Sequence, residues 1–176
     1  MSTPDFRKDL AFSMQTGYLQ LMDEYYKSFF GALNRIQIIR VENLEEQRRG
    51  YDVVIKQDND VWHRVEEKRD RYGHTGNLVL DLWSDINHKK GWLYTSRADY
   101  IAYHFDDTGI THLLPMPALR KAWKENEAEW RDTYRVVLKE NAAWTTQFIL
   151  IPLEVLWAAI QDVLVHDHAI NHGERW

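Results

Sequence analysis

Apolar side chains at Leu10, Met14, Tyr18, Leu21, Met22, Tyr25 and Phe29 recur close to the helical period, which predicts an amphipathic helix over residues 9–30. Gly17 interrupts that run and Gly31 offers a stop. Residues 35–41 (RIQIIRV) switch to a β-branched, strand-like pattern, and the polar loop ENLEEQRRG follows. Residues 50–68 (GYDVVIKQDNDVWHRVEEK) read as two strands joined by a three-residue turn, Asp58, Asn59 and Asp60. Antiparallel partners across that turn are Gln57 with Val61, Ile55 with His63, Val53 with Val65 and Asp52 with Glu66. Side chains alternate along a strand, so Val53, Ile55, Val61 and Val65 share a core face. Asp52, Lys56, Trp62, Arg64, Glu66 and Lys68 share the other. A slip of one residue would mix apolar and charged positions on both faces, so the hydrophobic pattern selects this register.

Beyond Lys68, RDRYGHTGN is a loop by its glycines and polarity, residues 78–83 (LVLDLW) are a strand, and residues 85–91 are irregular. Residues 99–105 (DYIAYHF) and 110–114 (ITHLL) flank a turn at 106–109 and predict a second hairpin. Pro117 can open a helix reaching to about Trp130, since proline suits the first helical turn. Residues 147–151 (QFILI) are a buried strand and residues 152–165 a closing helix. No repeat or linker divides the chain. Residues 1–176 are therefore expected to form one α/β domain, a mixed, centrally antiparallel sheet flanked by helices.

Composition narrows the chemistry. The absence of cysteine excludes disulfides, thiolate catalysis and Cys-ligated metals, so any metal must be held by oxygen or imidazole. The sequence shows no apolar run of bilayer-spanning length and no secretory start in MSTPDFRKDL, which points to the cytoplasm and away from a membrane. The net charge of -5 argues against a protein that coats nucleic acid generally. Its distribution is uneven, however: residues 48–97 carry ten Lys or Arg against eight acids, and residues 98–176 carry seven against twelve. The acidity lies away from the middle and need not repel a polyanion there.

With Asp52, Glu66, Glu67 and Lys68 placed on neighbouring strands behind a helix and a strand, the sequence resembles the PD-(D/E)xK nuclease superfamily. The restriction-endonuclease-like core of that superfamily is a helix, an antiparallel three-strand meander, and a further helix and strand. The order of elements matches over roughly residues 9–105, while the signature is confined to those four residues. The resemblance implies a Mg²⁺-dependent deoxyribonuclease, with Mn²⁺ as a substitute, in which Asp52 and Glu66 bind the ion. It also implies that the Glu67 main-chain carbonyl completes the set and that Lys68 orients or activates water. Many members add a glutamate from the first helix, for which Glu24 is the first choice and Asp23 the second. Tyr51 stands where the motif has proline, and Glu67 is charged where the family often has an apolar residue; neither change removes a metal-binding group.

The residue types suit the reaction. Phosphodiester cleavage adds negative charge to an anionic phosphate, and hard carboxylate oxygens can hold Mg²⁺ beside it with coordination positions left open. The competing readings are a nuclease-fold protein without catalysis that binds DNA or a protein partner, and a small interaction protein whose acids and lysine are cross-strand ion pairs on a solvated face. For phosphate contact, Lys56 and Arg64 share the face of the acids, and Arg69, Arg71, Lys89 and Lys90, with Arg48 and Arg49, fall in predicted loops. His74, Thr75 and Asn77 follow the lysine in a loop near substrate, and Trp62 offers a ring on which a base can stack. Trp123, Trp130 and Trp157 belong to apolar helix faces. His168 and His172 are one helical turn apart but His166 is off that spacing, so the three read as a frayed polar tail. The acidic C-terminal part is a candidate homodimer or partner surface.

Overall fold

The computed structural model describes residues 16–173. In chain order the elements are α1 (Thr16–Phe30), β1 (Ile36–Arg40), α2 (Leu44–Gln47), β2 (Val53–Gln57) and β3 (Trp62–Asp70). They continue with a 3₁₀ turn (Gly73–Thr75), β4 (Asn77–Asp85), β5 (Lys89–Lys90) and α3 (Trp92–Thr95). The chain then runs through β6 (Tyr100–Phe105), β7 (Ile110–Pro115), α4 (Met116–Thr133), β8 (Val136–Glu140), β9 (Thr145–Pro152) and α5 (Leu153–Gly173). The fold is α/β. A mixed, mostly antiparallel sheet runs β1-β2-β3-β6-β7, and a second sheet runs β5-β4-β9-β8.

The β2–β3 hairpin has the register read from the apolar pattern, with Val53 opposite Val65, Ile55 opposite His63 and Lys56 opposite Trp62. The expected pair of Asp52 with Glu66 is not part of that ladder, because Asp52 precedes β2 and directs its N–H to the Val65 carbonyl. Its turn is closed by the Gln57 N–H on the Val61 carbonyl at 2.9 Å and by Asp60 at φ 62°, a left-handed conformation that aspartate tolerates better than most residues. Val61 is exposed at the turn and does not join the core face, contrary to the alternation. β3 then pairs in parallel with β6, Glu66 beside Ile101 and Lys68 beside Tyr103, and β6 and β7 form the expected hairpin.

Each face of the five-stranded sheet is covered. On one side α1 lays Tyr18, Met22, Tyr26 and Phe30, spaced four apart, onto Val53, Ile55, Val65, Ala102 and Leu113. Leu21 and Phe29, placed on the apolar stripe by periodicity, face solvent instead. The predicted start of this helix, with Leu10 and Met14, lies outside the described residues; Gly17 is its second described residue and does not break it. On the other side Ile101, Tyr103 and Phe105 pack with Leu78, Leu80 and Leu82 of β4, Ile149 and Ile151 of β9, and α4 and α5. Burial on both sides explains why the β6 sequence YIAYHF is almost continuously apolar.

The second sheet was read only in part. β8 was not anticipated, residues 85–91 contain the short strand β5, and the loop ENLEEQRRG contains α2. α5 runs on to Gly173, so the segment read as a frayed tail is helical; His166 is exposed, and the side chains of His168 and His172 lie outside the described residues. Among the described residues no helix is long and apolar enough to cross a membrane.

Candidate active site

Asp52 enters β2 with its backbone held on both sides: its carbonyl accepts the Val41 N–H and its N–H donates to the Val65 carbonyl, each at 2.9 Å. Its Oδ2 accepts the main-chain N–H of Glu67 at 2.8 Å, so the side chain prolongs the β2–β3 pairing and is fixed against β3. Glu66 is only 7% exposed. Its Oε1 receives the Lys68 ammonium at 2.5 Å, while its Oε2 is buried without a hydrogen-bond partner. The Lys68 side chain is 32% exposed.

The three groups share one electrostatic field. Burial pushes the Asp52 carboxyl above its ordinary value, and the charge of Glu66 adds to that, against the lowering effects of Lys68 and the Glu67 N–H. For Lys68 burial opposes the charged form, yet Glu66, Asp52 and Asp81 outweigh it and hold the ammonium above its usual value. Asp81, on β4, is itself raised by burial and by Glu66, with Lys68 acting the other way. The charge of Asp81 therefore reaches Lys68 and Glu66, although no motif in the sequence singles that residue out. The available signal was an acid between Leu80 and Leu82 in an otherwise apolar strand. Arg120, which no motif singles out either, donates to the carbonyls of Leu93 at 2.7 Å and Ser96 at 2.5 Å; burial lowers its pKa and the charge of Glu66 acts the other way.

Side-chain alternation sends Glu67 to the opposite face, where the Tyr26 hydroxyl donates to it at 2.8 Å and Arg40 pairs with it at 3.2 Å. Arg40 also binds Asp23 at 2.6 Å, tying α1 to β1 and β3. The structure therefore does not bring the helix acids to Lys68, because α1 covers the face of Val65 and Glu67. Glu24 is 74% exposed and pairs with Lys27 at 2.7 Å, and Asp23 is held by Arg40.

Among the described residues no three acidic or histidine side chains are grouped to hold a metal ion. The expected Mg²⁺ set needs only two carboxylates, Asp52 and Glu66, with the Glu67 carbonyl. The unpartnered Glu66 Oε2 fits that need, and the Glu67 N–H engages only Oδ2 of Asp52.

The basic candidates separate. Arg64 forks onto Asp99 at 2.9 and 3.1 Å. Arg69 lies in β3 instead of a loop, stacks on the Tyr18 ring and binds Asp106 at 2.7 Å. Both hold strands together. Lys56 sits 4.9 Å from the centre of the Trp62 ring and 3.8 Å from Asp60, at the hairpin tip. Six residue steps along β3 lead from Trp62 to Lys68, about 20 Å, so a base stacked on Trp62 would not lie at the acids. Arg71, Lys89 and Lys90 are exposed, with Lys90 5.3 Å from the Tyr94 ring centre. His74 pairs through Nδ1 with Asp107 at 2.6 Å, and its loop is closed by the Gly73 and His74 N–H groups on the same carboxylate. No known family model matches the chain, and no curated protein or solved structure matches it either.

Proposed function

We propose that the chain is a cytoplasmic Mg²⁺-dependent deoxyribonuclease, with Asp52, Glu66 and the Glu67 carbonyl holding the ion and Lys68 beside it. The observation that carries this reading is Glu66 Oε2, a buried carboxylate oxygen without a partner, next to a second carboxylate and a lysine. Leaving such an oxygen unsatisfied is costly, and a divalent cation is the ligand that suits it. The helix, the three-strand meander and the later parallel strand are also in the order that the resemblance leads one to expect. When bound, magnesium supplies a Lewis acid for the phosphate and an acidified water. Burial opposes the charge on Lys68, yet Glu66, Asp52 and Asp81 favour it, which suits a part in placing positive charge against the developing phosphate charge. Asp52, anchored by the Glu67 N–H, keeps its carboxylate oriented on β3.

A second reading is favoured by the direct Lys68–Glu66 pair, which occupies one oxygen of the carboxylate a metal would need: a nuclease-fold protein that binds DNA, or a protein partner, without cutting. A panel of linear, nicked, branched and single-stranded DNA, with RNA, assayed in Mg²⁺, Mn²⁺ or EDTA, separates the two. The nuclease reading expects metal-dependent cleavage that Asp52→Asn abolishes, since the amide still accepts the Glu67 N–H and the fold persists. Cleavage by Asp52→Asn equal to wild type would sink it. DNA binding without cleavage in every metal would establish the second.

A further inference from the structure

We propose that Asp81 receives the Lys68 ammonium when a divalent cation takes Glu66; the inference rests on the metal-binding part of the reading above. The ammonium already sits on Glu66 Oε1, so lysine and metal compete for one carboxylate. The same carboxylate presents the buried, unpartnered Oε2, which is where an incoming cation gains most. A displaced ammonium needs another acceptor in this half-buried site, because a charge left there without a partner is unfavourable.

Of the two other acids around Lys68, Asp52 is engaged by the Glu67 N–H and faces the same ion. Asp81 is half-buried and, among the described residues, makes no side-chain hydrogen bond or ion pair. Its placement is built into the backbone. A Cβ at Gly91 would lie 2.1 Å from the Asp81 carbonyl and 2.9 Å from its Cβ, so only glycine permits this approach. The β4–β9 pairing shifts between Asp81 and Trp83, an irregularity of the kind that re-aims a side chain. Tyr103, the strand partner of Lys68, also accepts the Val79 N–H at 3.4 Å, which sets β4 beside the end of β3. With the backbone of Asp81 so fixed and the charges of Asp81 and Lys68 acting on one another, Asp81 offers Lys68 a carboxylate that has no other partner among the described residues, and metal binding moves the lysine from one acid to the other.

The test is Mn²⁺ affinity of the full chain by calorimetry for wild type, Asp81→Asn, Lys68→Gln and the double variant, with melting in EDTA confirming the fold. Lys68→Gln keeps a donor for Glu66 without the competing charge; Lys68→Met repeats the measurement if the glutamine variant does not fold. Asp81→Asn should weaken Mn²⁺ on the order of tenfold, Lys68→Gln should tighten it, and Asp81→Asn should have no effect in the Lys68→Gln background. Unchanged affinity in Asp81→Asn alone overturns the proposal, and so does equal weakening in both backgrounds, which would make Asp81 a metal ligand. Wild type that binds no Mn²⁺ overturns this proposal and the nuclease reading together. Wild type that binds Mn²⁺ but cleaves nothing overturns only the nuclease reading, because the affinity cycle does not depend on cleavage.

Discussion

Asp52 works against the stability of the protein that contains it. Its carboxyl titrates above the ordinary 3.8 in the folded chain, with burial the main cause. Well below 3.8 both folded and unfolded states are protonated and nothing is lost. As pH rises through 3.8 towards the folded value, the unfolded state ionises first and stability falls. Asp52→Asn is therefore expected to melt higher than wild type at pH 7, with the gap closing below pH 3.8, as a pH series of thermal melts would read. A gap that widens on acidification would contradict the assignment. Lys68→Ala acts in the other direction, because it strips the only partner that Glu66, 7% exposed, has among the described residues. It should cost about 2–4 kcal/mol in urea unfolding, so loss of cleavage in that variant has to be read beside its melting curve. At this scale the sequence is informative where alternation applies: Glu66 and Lys68 share a face and touch, as the register selected by the valines implies, while Asp52 reaches β3 through the Glu67 N–H and not by a ladder pair with Glu66. Glu24 and Asp81 were not legible. Which face of the sheet a helix covers, and which distant strand reaches a site, depends on packing that no local pattern encodes.

Elements joined by short turns were readable for the same reason that they form early contacts: the β2–β3 and β6–β7 hairpins are specified by neighbouring residues. The second sheet was not, because β4 pairs with β9 some 70 residues away and β8 carries the mixed sequence VVLKE. Helix α1 was legible as a helix but not in its facing. Aromatic and apolar residues surround it, and the Tyr26–Glu67 and Arg40–Asp23 bonds fix the face that turns inward. Tyr26→Phe removes the donor to a half-buried carboxylate that keeps Arg40, and a loss of about 1–2 kcal/mol in chemical unfolding is expected. Gly91 is the corresponding point on the other side of the sheet. It starts α3 and its N–H reaches the Leu82 carbonyl at 2.8 Å, while any side chain there meets the Asp81 backbone. Gly91→Ala should therefore destabilise the chain by about 1–3 kcal/mol and displace Asp81, visible as a changed amide shift for Asp81 and Leu82.

Across the whole molecule, the charges that could hold a polyanion are fewer than composition suggests. The net charge is -5, and two of the cations on β3, Arg64 and Arg69, are paired with Asp99 and Asp106, joining β3 to the ends of β6. Among the described residues Lys89 and Lys90 on β5 are exposed, as is Arg71 just beyond β3. DNA binding that uses phosphate contacts releases counterions, and the salt dependence of the affinity counts those contacts at roughly 0.9 per phosphate. Replacing Lys89 and Lys90 together by glutamine should lower the slope of log K against log salt by about 2 and weaken all DNA sequences alike. Arg64→Gln should leave the slope unchanged and lower the melting temperature, because Asp99 loses its fork. A full slope in the Lys89/Lys90 variant would move the DNA path away from β5. A reduced slope in Arg64→Gln would mean that the Arg64–Asp99 pair opens to meet the backbone, which would turn a strand clamp into part of the binding surface.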